Sequence, residues 1–323
     1  MKILITGGAG FIGSHLSQRL LEQGHSVTVI DNLSTGSLDN IASLRQNPAF
    51  TFVYDNIRNT SMMGMLIKEC DCVYHLAAAV GVQLIANQPV QTIETNIHGT
   101  EVVLETANKF SKKVFIASTS EVYGKSEKSP FREDDDTVLG STIYSRWAYA
   151  ASKAVDEFLA LAYHQEYGLP IIIARLFNTV GPRQTGKYGM VIPRFVESAL
   201  KNEPLTIYGT GTQSRCFCFV GDVIDAITGL MNSPAAPGRV YNIGSTEEIT
   251  MNDLADRIVR LTGSKSTKRL ISYSEAYGKP FDDMLRRVPS LERIQSVINF
   301  QPKTTLDQTL NYIIEFERQK MLK

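Results

Sequence analysis

From residue 2 to about residue 174 the chain alternates short, β-branched apolar runs with longer runs whose apolar positions recur at helical spacing. Six of the short runs predict strands: KILIT from Lys2, SVTVID from Ser26, FTFVYD from Phe50, CVYHLA from Cys72, KVFIAS from Lys113 and PIIIAR from Pro170. Such continuous apolar runs suit strands buried on both faces, as in a parallel sheet covered by crossover helices. The crossovers are legible at 11–23, 89–110 and 147–167, the last with Ala151, Val155, Phe158, Leu159 and Ala162 at helical spacing. An α/β fold follows, with a doubly wound parallel sheet over residues 1–175. Beyond Arg175 the alternation loosens into Gly- and Pro-containing loops, FNTVGPRQTGKYGM and YGTGTQSR, between shorter helices. This predicts a smaller C-terminal α/β substrate lobe over residues 176–323, interleaved with the first domain around a cleft.

The first strand runs into TGGAGFIGSHL, with Gly7, Gly10 and Gly13 where strand becomes helix. A tight turn needs Gly7, a pyrophosphate pressed on backbone N–H groups needs Gly10 to lack a Cβ, and close helix-on-strand packing favours Gly13. The second strand ends in Asp31. A carboxylate there accepts both hydroxyls of an adenosine ribose and repels a 2′-phosphate, so the pattern predicts a Rossmann site for NAD rather than NADP. Asn56 follows the third strand and HLAAAVG, from His75, ends the fourth, positions that floor adenine and nicotinamide pockets.

Tyr149 and Lys153 lie four apart on a predicted helix, on one face. Beside an ammonium a tyrosine hydroxyl ionises more readily and can take a proton from a sugar hydroxyl as hydride leaves. The spacing alone is common; a Gly-rich loop before it and the Ser/Thr run closing the fifth strand give it weight.

Thirty-three basic residues balance thirty-three acidic ones, which argues against nucleic acid as partner. No window approaches the roughly 18 apolar residues of a membrane span. The opening KILIT lacks a signal-peptide pattern, so the chain is read as cytoplasmic. Cys70/Cys72 and Cys216/Cys218 alternate inside strand-like runs and are expected as buried core, because zinc-knuckle spacing is missing; with His15, His25, His75, His98 and His164 scattered singly, no metal site is expected. The acidic run at 133–136 is expected as a solvated face.

Together, TGGAGFIG, Asp31, HLAA, Asn96 in ETNIHGT, STSEVYG, YAASK, RLFNTVGPR, PLTIYGTGTQSRCF, VGDV, YNIGS and RRVPSLERI resemble the extended short-chain dehydrogenases/reductases, in the NAD-dependent nucleotide-sugar epimerase, dehydratase and decarboxylase branch. The resemblance covers nearly the whole chain. It implies tightly bound, recycled NAD, with Phe11, Ile12, Asn32, Asn56, Ile57, Leu76, Ala77, Ala78, Asn96 and Ser118 joining Gly7, Gly10, Gly13 and Asp31 around it. Many relatives carry Asp where Asn56 stands. It further implies that Thr119 hydrogen-bonds the sugar O4, that Tyr149 is the acid/base and that Lys153 holds the nicotinamide ribose. Asn178 and Arg215 match diphosphate-binding positions, and Val191 and Thr206 match the nucleobase pocket, usually for uridine. The helices at 89–110 and 147–167 resemble the pair that builds a homodimer in relatives.

Family members first oxidise C4 of the sugar, and the residues after Thr119 differ with the reaction that follows. A 4-epimerase commonly has no acid there; a 4,6-dehydratase typically has Asp-Glu; decarboxylases of UDP-glucuronic acid have Ser-Glu, as in Ser120-Glu121. A 4-ketone turns the C6 carboxylate into that of a β-keto acid, and the enolate left by carbon dioxide can be stabilised by Tyr149 and Thr119. SRWAYAASK and YGKPFDDMLRRVPSLERI also resemble decarboxylases, in which the Arg matching Arg287 reaches the sugar carboxylate region. The resemblance therefore points to a UDP-glucuronic acid decarboxylase forming UDP-xylose or a UDP-4-keto-pentose, with 4-epimerase or 4,6-dehydratase as the alternative and a catalytically silent sensor as a remote one.

Overall fold

In a computed structural model, residues 1–81, 88–186, 189–272, 275, 284 and 286–322 are described. They build a seven-stranded sheet whose neighbouring pairs all run parallel, from β1 (Lys2–Thr6), β2 (Ser26–Asp31), β3 (Phe50–Tyr54), β4 (Cys72–His75), β5 (Lys113–Thr119), β6 (Ile171–Leu176) and β11 (Arg239–Ile243), in the order β11-β6-β5-β4-β1-β2-β3. The strand order reverses at β1, so the carboxyl ends of β1 and β4 open the crevice in which doubly wound sheets take ligands. Six strands were expected; the seventh, RVYNI, comes from beyond residue 176 and pairs with β6, so the expected boundary at 175 runs through a paired strand.

Alternation of side chains sorts the strands onto two cores. Ile3, Ile5, Val27, Val29, Phe115, Ile172 and Ala174 pack on one face with α1 (Phe11–Glu22) and α6 (Val220–Asn232). Leu4, Ile30, Val73, Val114, Ile116, Ile171 and Ile173 pack on the other with α2 (Thr60–Glu69), α3 (Pro89–Lys109) and α4 (Arg146–Tyr167). A third core joins α5 (Val191–Leu200), β8 (Leu205–Tyr208), α7 (Met251–Thr262) and α9 (Leu306–Met321) in the lobe. There β7 (Thr179–Val180) pairs β10 (Cys218–Phe219), β9 (Ser214–Cys216) pairs β12 (Glu248–Thr250), and β13 (Lys268–Ile271) pairs β8; α8 (Glu292–Ile298) lies between β11 and α9 in the chain.

Three expectations are corrected. The run from Cys216 to Cys218 is not one strand: Phe217 separates β9 from β10, which pair with different partners, and Cys70 caps α2 outside β4; all four thiols are nevertheless buried and free. Glu133 is buried rather than solvated, because its carboxylate accepts from the Asn242 backbone N–H at 2.8 Å and faces Arg293. On α4 part of the expected apolar stripe points outward, Phe158 being 74% and Val155 44% exposed, while Leu159 packs on the second core and Ser152, Lys153, Asp156 and Glu157 are buried. Among the described residues no helix is long and apolar enough to cross a membrane.

Candidate active site

The strand β1 turns into α1 through Gly7, whose φ of +72° suits glycine and whose added Cβ would meet the Ala77 nitrogen at 2.8 Å, locking the β1 and β4 ends together. The Gly10 N–H closes the turn on the Gly7 carbonyl at 3.1 Å, and a Cβ on Gly13 would fall 2.3 Å from the same oxygen. Gly10 caps α1 without any side chain, and no acidic residue stands in the first turn, leaving the first N–H groups of a positive helix end facing the crevice. At the end of β2 the buried Asp31 carboxylate is held by the N–H groups of Ala9 (3.0 Å) and Leu33 (2.8 Å); burial raises its pKa and those donors oppose the rise. These features fit a dinucleotide with its pyrophosphate on α1 and its ribose on Asp31.

The remaining expected cofactor residues line the same crevice or brace it. Phe11 and Ile12 pack at the head of α1 and Ile57 is buried under α3. Asn32 accepts from the Ser34 N–H, and Asn56, two residues beyond the end of β3, accepts from the Arg58 N–H. After β4, Leu76 and Ala77 are tied to Thr6 and Ala78 follows, while Asn96 braces the loop: its Oδ1 accepts from the Ala79 N–H at 2.8 Å and its Nδ2 donates to Ser152 at 3.1 Å. The Ser118 hydroxyl turns away, to Glu157, which forks with the buried Arg175 (Nη2 to Oε2, 2.8 Å).

At the end of β5, Thr119 caps a 3-10 turn, Ser120–Tyr123, and accepts from the Glu121 N–H at 3.2 Å. Thr119 lies close enough to the Tyr149 phenol to oppose the rise in its pKa, and Tyr149 is buried near the start of α4. Ser120 is buried beneath the turn. Glu121 meets the buried Arg287, with Arg287 Nη2 2.6 Å from Glu121 Oε1. Thr119, Glu121, Tyr149 and Arg287 are thus one cluster. Lys153 is buried on the same face of α4 and donates to Asp156 at 2.7 Å. The Tyr149 hydroxyl is not pushed toward ionisation as the Tyr–Lys spacing suggests. Burial raises its pKa, the Glu121 carboxylate raises it further, and the Lys153 charge is met by Asp156.

The residues expected on the substrate side come from beyond β6. Asn178 Nδ2 donates to the Cys216 carbonyl (3.0 Å), Arg215 Nη1 donates to the Ser214 carbonyl (2.7 Å), and the Thr206 carbonyl accepts from Arg194 (3.3 Å), whose guanidinium stacks on Tyr208. Val191 opens α5. Lys187, Tyr188 and residues 277–283 and 285, part of the quoted motifs, lie outside the described residues. Sequence reasoning missed Asp156, Glu157 and Arg175; the first two follow Tyr149 and Lys153 at helical spacing on the inner face of α4, which was the available signal. Among the described residues no group of His, Cys, Asp and Glu is disposed to hold a metal ion.

Comparison with known proteins adds relatives. The family model described as GDP-mannose 4,6 dehydratase matches residues 4–313. The chain is 39% identical to a UDP-N-acetyl-alpha-D-glucosaminuronate decarboxylase of Bacillus cytotoxicus over 98% of both chains, and 35% identical to UDP-glucuronic acid decarboxylase 1 of Danio rerio over 98% of this chain and 72% of that one. It superposes with a TM-score of 0.90 on a UDP-glucuronic acid 4-epimerase from Bacillus cereus, solved with UDP-glucuronic acid and NAD, at 30% identity over 99% of this chain and 100% of the other.

Proposed function

Because the chain belongs to the NAD-dependent nucleotide-sugar epimerase, dehydratase and decarboxylase family of extended short-chain dehydrogenases/reductases, we propose that this NAD-dependent enzyme decarboxylates a UDP-uronic acid after transient oxidation at C4. The observation that carries the reading is the Glu121–Arg287 pair, 2.6 Å apart with Arg287 buried, beside Thr119 and the buried Tyr149. A cation and an anion there give a C6 carboxylate one partner and one repelling neighbour.

Bound NAD supplies a hydride acceptor and donor at C4, held by the α1 end, Asp31 and Lys153. Tyr149 takes the O4 proton, with Thr119 orienting that oxygen. Arg287 docks the C6 carboxylate. Glu121, next to it, disfavours that carboxylate once C4 is a ketone, and the C5–C6 bond breaks as carbon dioxide leaves. The electron pair passes to the C4 oxygen, where the Tyr149 and Thr119 hydroxyls stabilise it as an enolate. Ser120 offers no acid for expelling a C6 hydroxyl, which disfavours dehydration. Arg215 and Asn178 take the diphosphate, Thr206 and Val191 the uracil; a guanidinium fork suits paired phosphate oxygens.

Two further features belong to the proposal. The outward apolar stripe of α4, with Ile93 and Val90 of α3 also exposed, supports a homodimer through these helices. Four free thiols accord with a reducing, cytoplasmic setting.

The superposition on a UDP-glucuronic acid 4-epimerase favours 4-epimerisation as the second reading. Purified enzyme incubated separately with UDP-glucuronic acid and UDP-N-acetylglucosaminuronic acid, with products identified by NMR, separates the two. A UDP-pentose or its N-acetylamino counterpart is expected; the C4 epimer of either acid as sole product contradicts decarboxylation.

A further inference from the structure

Arg286 and Arg287 are consecutive but serve different partners. Arg287 holds Glu121 at the end of β5. Arg286 forks onto Glu248 of β12, with Nε 2.8 Å from Oε1 and Nη2 2.8 Å from Oε2. The same carboxylate accepts from the Ser214 hydroxyl of β9, and the next residue on that strand is Arg215, paired across the ladder with Ile249. Just beyond Arg287 the chain is anchored again: the Phe131 N–H donates to the Val288 carbonyl at 2.8 Å, and the Ser290 N–H to the Phe131 carbonyl at 2.7 Å. The Arg287 backbone is therefore bracketed, by Phe131 on one side and by the Arg286–Glu248 fork on the other.

An exposed ion pair contributes little to stability by itself, unless its geometry is bidentate and networked, as here. We propose that Arg286 is a positioning residue: through Glu248 and Ser214 it ties Arg287 to the strand carrying Arg215, so that nucleoside diphosphate held by the lobe sets the guanidinium of Arg287 against Glu121. The link makes the Glu121–Arg287 pair depend on the nucleotide portion of the substrate. This inference rests on the uronic-acid decarboxylase reading.

The test uses the full chain with Arg286→Gln, with Glu248→Gln, and with the charge swap Arg286→Glu/Glu248→Arg. It measures kcat and KM for the uronic acid substrate and the Kd of UDP alone. Each single variant is expected to lose roughly tenfold in kcat, as small misplacements of reacting groups do, with KM and the UDP Kd within about threefold of wild type. The swap is expected to recover most of the loss. Wild-type kcat in both single variants overturns the proposal, as does a loss confined to KM and UDP affinity. If a single variant fails to fold, a folded swap decides: wild-type kcat supports the link, and a kcat as low as that of the folded single variant overturns it. If wild type yields only the C4 epimer, the decarboxylase reading fails, and the same kcat pattern measured on epimerisation decides the link.

Discussion

Glu121 acts on both chemical partners that the proposed reaction needs: its carboxylate pairs with Arg287 and its charge raises the pKa of the Tyr149 hydroxyl. Because that charge raises the Tyr149 pKa, Glu121→Gln lowers it. A base with a lower pKa is ionised at lower pH, so the acidic limb of C4 oxidation is expected to move to lower pH in the variant. Carbon dioxide release should fall about 10²-fold or more, the scale at which one positioned electrostatic group counts. Stopped-flow absorbance of reduced nicotinamide and trapped carbon dioxide read the two effects separately; unchanged release assigns Glu121 another role. At this scale Thr119, Glu121, Tyr149, Lys153 and Arg287 were legible as chemistry-bearing residue types. What was not legible is who holds whom. Two carboxylates on the inner face of α4, Asp156 and Glu157, neutralise Lys153 and Arg175; the first pair lies within the helix at i,i+3, but the second depends on the distance between β6 and α4, which spacing along the chain does not contain.

Helix α4 shows how periodicity predicts an element without predicting its faces. Ala151, Val155, Phe158, Leu159 and Ala162 mark the helix correctly, but only Leu159 of them packs on the second core, and the buried side is otherwise Tyr149, Ser152, Lys153, Asp156, Glu157 and Ala160. A helix that turns its charges inward for a site leaves its apolar stripe to a second protein surface. Phe158→Glu places a charge at the centre of that stripe. It is expected to convert a dimer into a monomer in sedimentation equilibrium at micromolar concentration; a variant that sediments as wild type places the interface elsewhere. The strands were easier to read, since β1, β2 and β5 are apolar on both faces. β11 was not, because RVYNI stands far along the chain from the other six strands, beyond α5 and α6, and gains its place by pairing with β6.

For the molecule as a whole, two cores sandwich the sheet and a third holds the lobe, and buried titratable groups decide how this assembly responds to acid. His75, between Thr6 (2.7 Å) and Thr100 (3.1 Å), is pushed down to about 3 by burial and by Lys153; His15, on the Pro182 carbonyl, is pushed down to about 4 by burial. Both titrate at 6.5 when unfolded. Below that pH the unfolded chain binds protons that the folded one refuses, so stability is complete above pH 6.5 and lost as pH falls toward 4. The loss is on the order of 1.4 kcal/mol per pH unit for each group. Calorimetric Tm should fall across this window, and His75→Asn should flatten the slope; a Tm constant down to about pH 4 contradicts the assignment. The doubly wound sheet and the cofactor crevice were legible at this scale, because they follow from strand–helix alternation and one Gly-rich turn. The bracing of the crevice by Asn96, Ser152 and Thr6 was not, since it joins residues from three distant elements.

The central claim concerns the C6 carboxylate. UDP-glucuronic acid labelled with isotopic carbon at C6 and incubated with the purified enzyme tests it most directly, by the label appearing in released carbon dioxide. Stoichiometric labelled carbon dioxide, one per UDP-pentose formed, is the predicted result; full retention of the label in UDP-galacturonic acid contradicts it.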